Sequence, residues 1–272
     1  MAAETDGPVR SAETDKLWNE LSIDPVELHL GKDSGFTLRA YRMSDTLPGA
    51  KAEGPEPAED EEAEAEAPRG KHAEEAEAAP EDEDAPEPDA ADFADEEPAA
   101  DDDEDALDAE PEEVPAFLTR KGKLLVFREA EALVAYVKDN DDHDLAALEE
   151  YAELQERLSV DDIACDEDDT YELDLVVANL RGGQDAWEPE LLIKAAEVGR
   201  DLGYALKNDS IVGSLAPGSP LDDLDEAFRV VVDGGLRGKL AKRRLKRSDS
   251  QQAAIAWRGV IAKINDHVEW RG

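Results

Sequence analysis

Seven of the eleven residues from Arg237 to Arg247 are basic: Arg237, Lys239, Lys242, Arg243, Arg244, Lys246 and Arg247. In a chain with a formal net charge of −42 this is a local reversal of sign. Packed guanidinium and ammonium groups attract phosphate and carboxylate. The chemistry on offer is therefore anion contact, with a nucleic-acid backbone or an acidic protein surface. Without a partner, the same run is a solvated helix face that offsets an acidic body. No aromatic residue interrupts the bases, which disfavours stacking on single-stranded bases; phosphate contact without base reading is what the pattern supports. Leu236, Leu240 and Leu245 are expected to seat the run against the body while the charges face out.

Other chemistry-bearing residues form no convergent set. Asp139-Asn140-Asp141-Asp142-His143-Asp144, with Glu150 twelfth, has acidic spacing like a calcium loop, but Asp144 stands where that loop needs glycine. Asp166-Glu167-Asp168-Asp169 fails the same test, with Tyr171 in sixth place and Val177 in twelfth. Both read as helix-capping acidic loops. His29, His72, His143 and His267 are isolated, with no metal-ligand spacing. Cys165 is the only cysteine, and its acidic neighbours raise its pKa, which makes it a structural residue. No glycine-rich phosphate loop is present; Gly182-Gly183 and Gly234-Gly235 read as helix stops. Trp187, Trp257 and Trp270 read as core. The expectation is a protein that is not an enzyme, with no catalytic residue, cofactor or metal.

The elements that must position the basic run are divided by an acidic tract. Residues 51–113 contain 30 Asp or Glu against three bases, a net −27, which leaves −15 on the other 209 residues. Phe93 and Leu107 are its only large apolar residues, and eight prolines interrupt it. Such a segment cannot bury enough apolar surface to offset the entropy of ordering. It reads as a disordered linker, either a solvated tether or an acidic tail able to fold back on the basic run 237–247. The layout expected is a flexible tail over 1–14, a helical turn and β-hairpin over 15–50, the linker over 51–113, and a second hairpin with a helical domain over 114–272.

Val26 to Leu30 and Phe36 to Tyr41 alternate apolar and polar residues, which predicts a hairpin with a five-residue loop at 31–35. Val114 to Thr119 and Leu124 to Phe127 predict a second hairpin. A lone hairpin is marginal in water, so the two are expected to pair across the linker. Helices follow. Ala130, Leu133, Val134 and Val137 share one face. Asp144 is expected to cap a helix lined by Leu145, Leu148, Ala152 and Leu158. Leu173 to Leu180 reads as a helix stopping at Gly182-Gly183 with a left-handed cap. Further helices are expected from Pro189, from Ser219-Pro220 and over Gln251 to Trp270. The fold class is α+β: a small antiparallel sheet of two hairpins packed on a mainly α-helical C-terminal body, with a long disordered acidic insertion.

A single cysteine fits a reducing compartment. Met1 to Trp18 lacks an apolar core, so no signal peptide is expected, and no apolar run is long enough to span a membrane. A cytoplasmic protein with no membrane contact follows. Three stretches carry a resemblance: Leu17 to Glu27, Gly35 to Arg42, and Thr170 to Val177 with Asn179-Leu180-Arg181-Gly182-Gly183. Together with the closing Trp257-Arg258 to Trp270-Arg271, these resemble an uncharacterised actinobacterial family often labelled "primosomal protein", with two flanks around a variable acidic linker. That resemblance implies a link to DNA replication and no catalytic residues. Two roles stay open: an interaction or adaptor protein with an unknown protein partner, and a DNA-replication-associated accessory factor that touches nucleic acid through 237–247 under the control of the linker.

Overall fold

The structure, a computed structural model of the chain, describes residues 10–44 and 112–272. The linker expected over 51–113 lies outside the described residues except at its last two positions, and the expected tail lies outside them up to residue 9. From Arg10 the chain is placed. Helix α1 (Ala12–Leu21) starts at Ser11, whose hydroxyl accepts from the backbone N–H of Thr14, and it buries Leu17, Trp18 and Leu21.

Strands β1 (Ile23–Leu30) and β2 (Asp33–Met43) form the first hairpin. Its turn is tighter than the five-residue loop expected. Leu30 pairs with Asp33, so only Gly31 and Lys32 lie between the strands. Gly31 takes φ 68°, and positive φ at the first central residue suits a two-residue turn to the twist of the strands. Asp33, Ser34 and Gly35 thereby join the ladder.

The second hairpin is also present, split in two. Strand β4 (Thr119–Arg120) pairs with β5 (Lys123–Phe127) across Lys121-Gly122, whereas β3 (Glu113–Phe117) leaves to pair with β2. Leu118 marks the division: its N–H donates to the Leu38 carbonyl and its own carbonyl accepts from Leu125. The two hairpins do pair, through Arg39 with Phe117 and Phe36 with Phe127.

Two short strands add parallel edges. Strand β6 (Thr170–Glu172) lies beside β1, and β7 (Val268–Arg271) lies beside β5. The last helix, α9 (Ser250–His267), therefore stops short of Trp270, because Val268 to Arg271 find ladder partners in Leu124 to Phe127.

Alternation along β5 shows the layering. Leu124 and Val126 join a core with Val26, Leu28 and the helices that follow β6; Leu125 and Phe127 join a second core with Leu38, Ala40, Trp18 and Leu133. The second face is covered by α1, α2 (Ala130–Asp139) and α3 (Tyr151–Arg157). The helix expected over Leu145 to Leu158 is broken into a 3-10 turn, Asp144–Ala147, and α3. Asp144 caps neither; its carboxylate accepts from the Thr119 hydroxyl. Covering the first face are α4 (Leu173–Arg181), α5 (Pro189–Ala205), α6 (Asp209–Leu215), α7 (Pro220–Asp233), α8 (Gly235–Leu245) and α9. The class is α+β, a small sheet with a mainly helical C-terminal body.

Candidate functional site

Helix α7 opens as its sequence predicts. The Ser219 hydroxyl accepts from the Asp222 N–H and Pro220 takes the first helical position. The stripe of Leu221, Leu224, Ala227 and Phe228 is buried. Gly234 and Gly235, at φ 77° and 68°, turn the chain directly into α8. That helix holds itself to the body on a narrow face, where Gly238 and Leu245 are buried and Ala241 is partly buried. Gly238 is required by approach rather than by φ. A β-carbon there would lie 3.0 Å from the Val230 carbonyl oxygen, so any larger residue would push α8 back from the end of α7 by a small shift.

This docking overturns one expectation. Leu245 seats the helix, but Leu236 and Leu240 do not; they are 78% and 57% exposed. Because Gly238, Ala241 and Leu245 recur at three- and four-residue spacing, the residue two before Gly238 points roughly away from the body.

All seven bases of the run are exposed. Lys246 pairs with Asp185 at 2.9 Å, and its ammonium holds that carboxyl below the usual carboxylate range. Arg244 lies 3.8 Å from Asp223. Arg237, Lys239, Lys242, Arg243 and Arg247 have no ion-pair partner among the described residues. Cations that merely offset an acidic body would be expected to sit on its carboxylates, and most of these do not. Two hollows flank the helix. One of about 310 Å³ lies between α7 and α8, lined by Ala227, Val230, Leu240 and Ala241 with Arg237, Arg244 and Glu226. The other, of about 560 Å³, runs between α7 and α9 and also has Arg244 at its edge.

The remaining chemistry-bearing residues are taken up within the fold. Asp142 binds Arg120 Nε at 2.8 Å, and Glu150 receives Arg42 at 3.2 Å. Asp166 Oδ1 accepts from the backbone N–H groups of Asp168 and Asp169. No group of three or more His, Cys, Asp or Glu able to hold a metal occurs among the described residues. His29 bonds Glu27, His143 bonds Tyr151 and His267 faces the Lys263 carbonyl, while His72 lies outside the described residues. Burial, and then Glu27 and Asp169, push the Cys165 thiol up, so it stays protonated. Trp187 and Trp257 are buried; Trp270 stacks under the Arg128 guanidinium, 5.1 Å from the ring centre.

One cluster escaped the sequence altogether. Arg39 on β2, with a side chain only 10% exposed, donates to the Tyr171 hydroxyl at 2.6 Å and to Asp169 at 3.1 Å. Tyr41, two residues on, donates to Asp201 of α5 at 2.6 Å, and Arg10 reaches Asp169 at 2.9 Å. Burial raises both carboxyls above their usual range; Arg39 lowers Asp169, and the Tyr41 bond and Arg39 lower Asp201. The visible signal was the polar face Thr37-Arg39-Tyr41 on a strand whose other face is apolar. What hid it is that helices cover both faces of the sheet. The cluster ties β2 to β6 through Tyr171 and to α5 through Asp201, and so holds the helical body on the sheet.

Residues 106–265 match the family described as SatS C-terminal domain, and the chain belongs to that family. The matched stretch contains α8 and most of α9. The crystal structure of the SatS C-terminal domain in complex with bromine aligns with a TM-score of 0.57 at 20% identity, covering 97% of this chain and 100% of that one, a likeness of fold. No curated protein matches the chain. No described helix is long and apolar enough to cross a membrane.

Proposed function

We propose that this member of the SatS C-terminal domain family is a non-enzymatic interaction protein of the cytoplasm, and that α8 is the surface with which it meets an anionic partner. The observation behind this reading is the exposure of all seven bases, five of them without an ion-pair partner among the described residues. A helix that buries only Gly238 and Leu245, with Ala241 partly buried, leaves most of its circumference for contact.

The density of bases also favours a second reading, a replication-associated accessory factor of primosomal type that contacts nucleic-acid phosphate without reading bases. Salt separates the two. Contact with about five phosphates would weaken binding roughly 500-fold between about 50 and 200 mM salt. The test is binding of labelled duplex and single-stranded DNA by three proteins: the full chain, a deletion of residues 53–110, and a variant with Arg243, Arg244, Lys246 and Arg247 changed to Ala. DNA bound with that salt slope by the first two and lost in the third makes the helix a nucleic-acid surface. Tighter binding by the deletion than by the full chain adds restraint by the acidic tract. No DNA binding at low salt removes the second reading and leaves an acidic protein as partner. If the variant with four bases changed binds every anionic probe as the full chain does, α8 is not the contact surface.

A further inference from the structure

The groove between α7 and α8 narrows the kind of partner, an inference that rests on α8 being the contact surface. Its lining is mainly apolar, Ala227, Val230, Leu240 and Ala241, with two bases, Arg237 and Arg244, against one carboxylate, Glu226, a net positive charge. At about 310 Å³ it is at the small end of ligand hollows and suits one large side chain rather than a whole small molecule. Leu240 forms one wall and is still 57% exposed, and Leu236, one turn earlier, is 78% exposed. A helix that served phosphate alone would have no use for these leucines, since a duplex backbone offers nothing apolar to cover them. Exposed apolar residues beside bases without an ion-pair partner among the described residues mark a surface that expects both charge and a hydrophobic anchor.

We infer that α8 and its groove take an acidic protein segment presenting one large apolar residue between carboxylates. The apolar side chain enters between Val230 and Leu240, and its flanking carboxylates reach Arg237 and Arg244. Planar guanidinium groups grip carboxylates in bidentate fashion, which fixes the register of the segment as well as adding attraction. Lys239, Lys242 and Arg243 then supply longer-range steering that salt weakens, while the anchor contact is far less sensitive to salt.

The test measures fluorescence anisotropy with two labelled acidic peptides, identical Asp- and Glu-rich sequences with a central Phe or a central Ala, and with labelled duplex DNA and phosphatidylglycerol vesicles as rivals. The proteins are the full chain, Leu240→Ser, and the variant with Arg243, Arg244, Lys246 and Arg247 changed to Ala. Leu240 is largely exposed, so its replacement leaves thermal unfolding unchanged, which a melt verifies. The Phe peptide is expected to bind roughly tenfold tighter than the Ala peptide, equivalent to about 1.4 kcal/mol. Leu240→Ser should erase that preference while keeping the weaker charge-driven binding; the variant with four bases changed should weaken both peptides together. Equal binding of Phe and Ala peptides overturns the groove and leaves the basic surface standing. A preference that survives Leu240→Ser also overturns it, as does tighter binding of DNA or vesicles than of the Phe peptide. If no anionic probe binds, the reading of α8 as a contact surface fails with it.

Discussion

Replacing Arg39 with Ala tests whether the helical body is held on the sheet as described. The change removes the donor to Tyr171 at 2.6 Å and to Asp169 at 3.1 Å, and takes the cation away from Asp201, 3.9 Å distant. Breaking a buried ion pair from one side costs about 3–5 kcal/mol, because the remaining charge stays buried and uncompensated. Here the lower end applies, since Arg10 still reaches Asp169 at 2.9 Å and Tyr41 still donates to Asp201 at 2.6 Å. A loss of about 3 kcal/mol lowers Tm by roughly 6–12 °C for a body of this size. The loss should also depend on pH. Burial raises the Asp169 and Asp201 pKa values in the folded protein. Between the unfolded and the raised folded values the native state binds more protons, so stability falls as pH rises through that window. Without Arg39 the folded values move higher still and the window extends upward. The deficit of Arg39→Ala should therefore be larger near about pH 8 than near about pH 5. Arg39→Lys keeps the charge but not the fork that serves Tyr171 and Asp169 together, and should fall between. Urea unfolding at both pH values, with unchanged slope, measures this. A deficit below about 1 kcal/mol, the size of an exposed pair, would refute the reasoning, as would a deficit of equal size at the two pH values.

Other perturbations follow from the same geometry. Gly35→Ala puts a β-carbon inside contact distance of the Phe127 carbonyl, backbone that cannot swing away; overpacking should cost about 1–3 kcal/mol in urea unfolding. Gly213→Ala in α6, where a β-carbon meets nothing within 4 Å, should instead stabilise by about 0.5–1 kcal/mol. His143 is 8% exposed, bonds Tyr151 through Nε2 at 2.7 Å and has no hydrogen-bond partner at Nδ1 among the described residues, and burial lowers its pKa. Its contribution is present above the ordinary histidine range and lost as pH falls through it, because the unfolded chain then binds the extra proton. His143→Gln should flatten the fall of Tm on acidification below about pH 6.5, and an unchanged slope would show that another group carries it.

The fold was legible where one element answers to one period. The Ser219 cap of α7, the alternating first hairpin and the buried stripe Leu192, Ala195, Val198 and Leu202 on α5 follow from spacing alone, whereas β5 reads as an unbroken apolar run because both of its faces are buried. Strands β6 and β7 were not legible. Thr170–Glu172 and Val268–Arg271 are three and four residues long, and they become strands only because β1 and β5 present free edges to them. Distant pairing of that kind leaves no local pattern. Arg39 was hidden for a related reason: a polar residue in an alternating strand reads as facing solvent until α5 arrives over it.

The largest miss at the candidate site concerns Leu236 and Leu240, and it has a physical cause. Leu236 and Leu240 lie one turn apart, but Leu245, nine residues after Leu236, falls about 180° around the helix from it, so a rule that buries every apolar residue cannot turn all three inward. The structure turns inward Gly238, Ala241 and Leu245 instead, because a face of small residues lets the helix lie against the Val230 carbonyl where leucines would hold it away. Local rules are consistent along most of this chain, and sites are where consistency breaks. In α8 the break is specific: the body forgoes burial of two leucines, and four bases of the same helix, Arg237, Lys239, Lys242 and Arg243, have no ion-pair partner among the described residues. On the proposal above, a partner that brings carboxylates and an apolar side chain at once recovers both losses together.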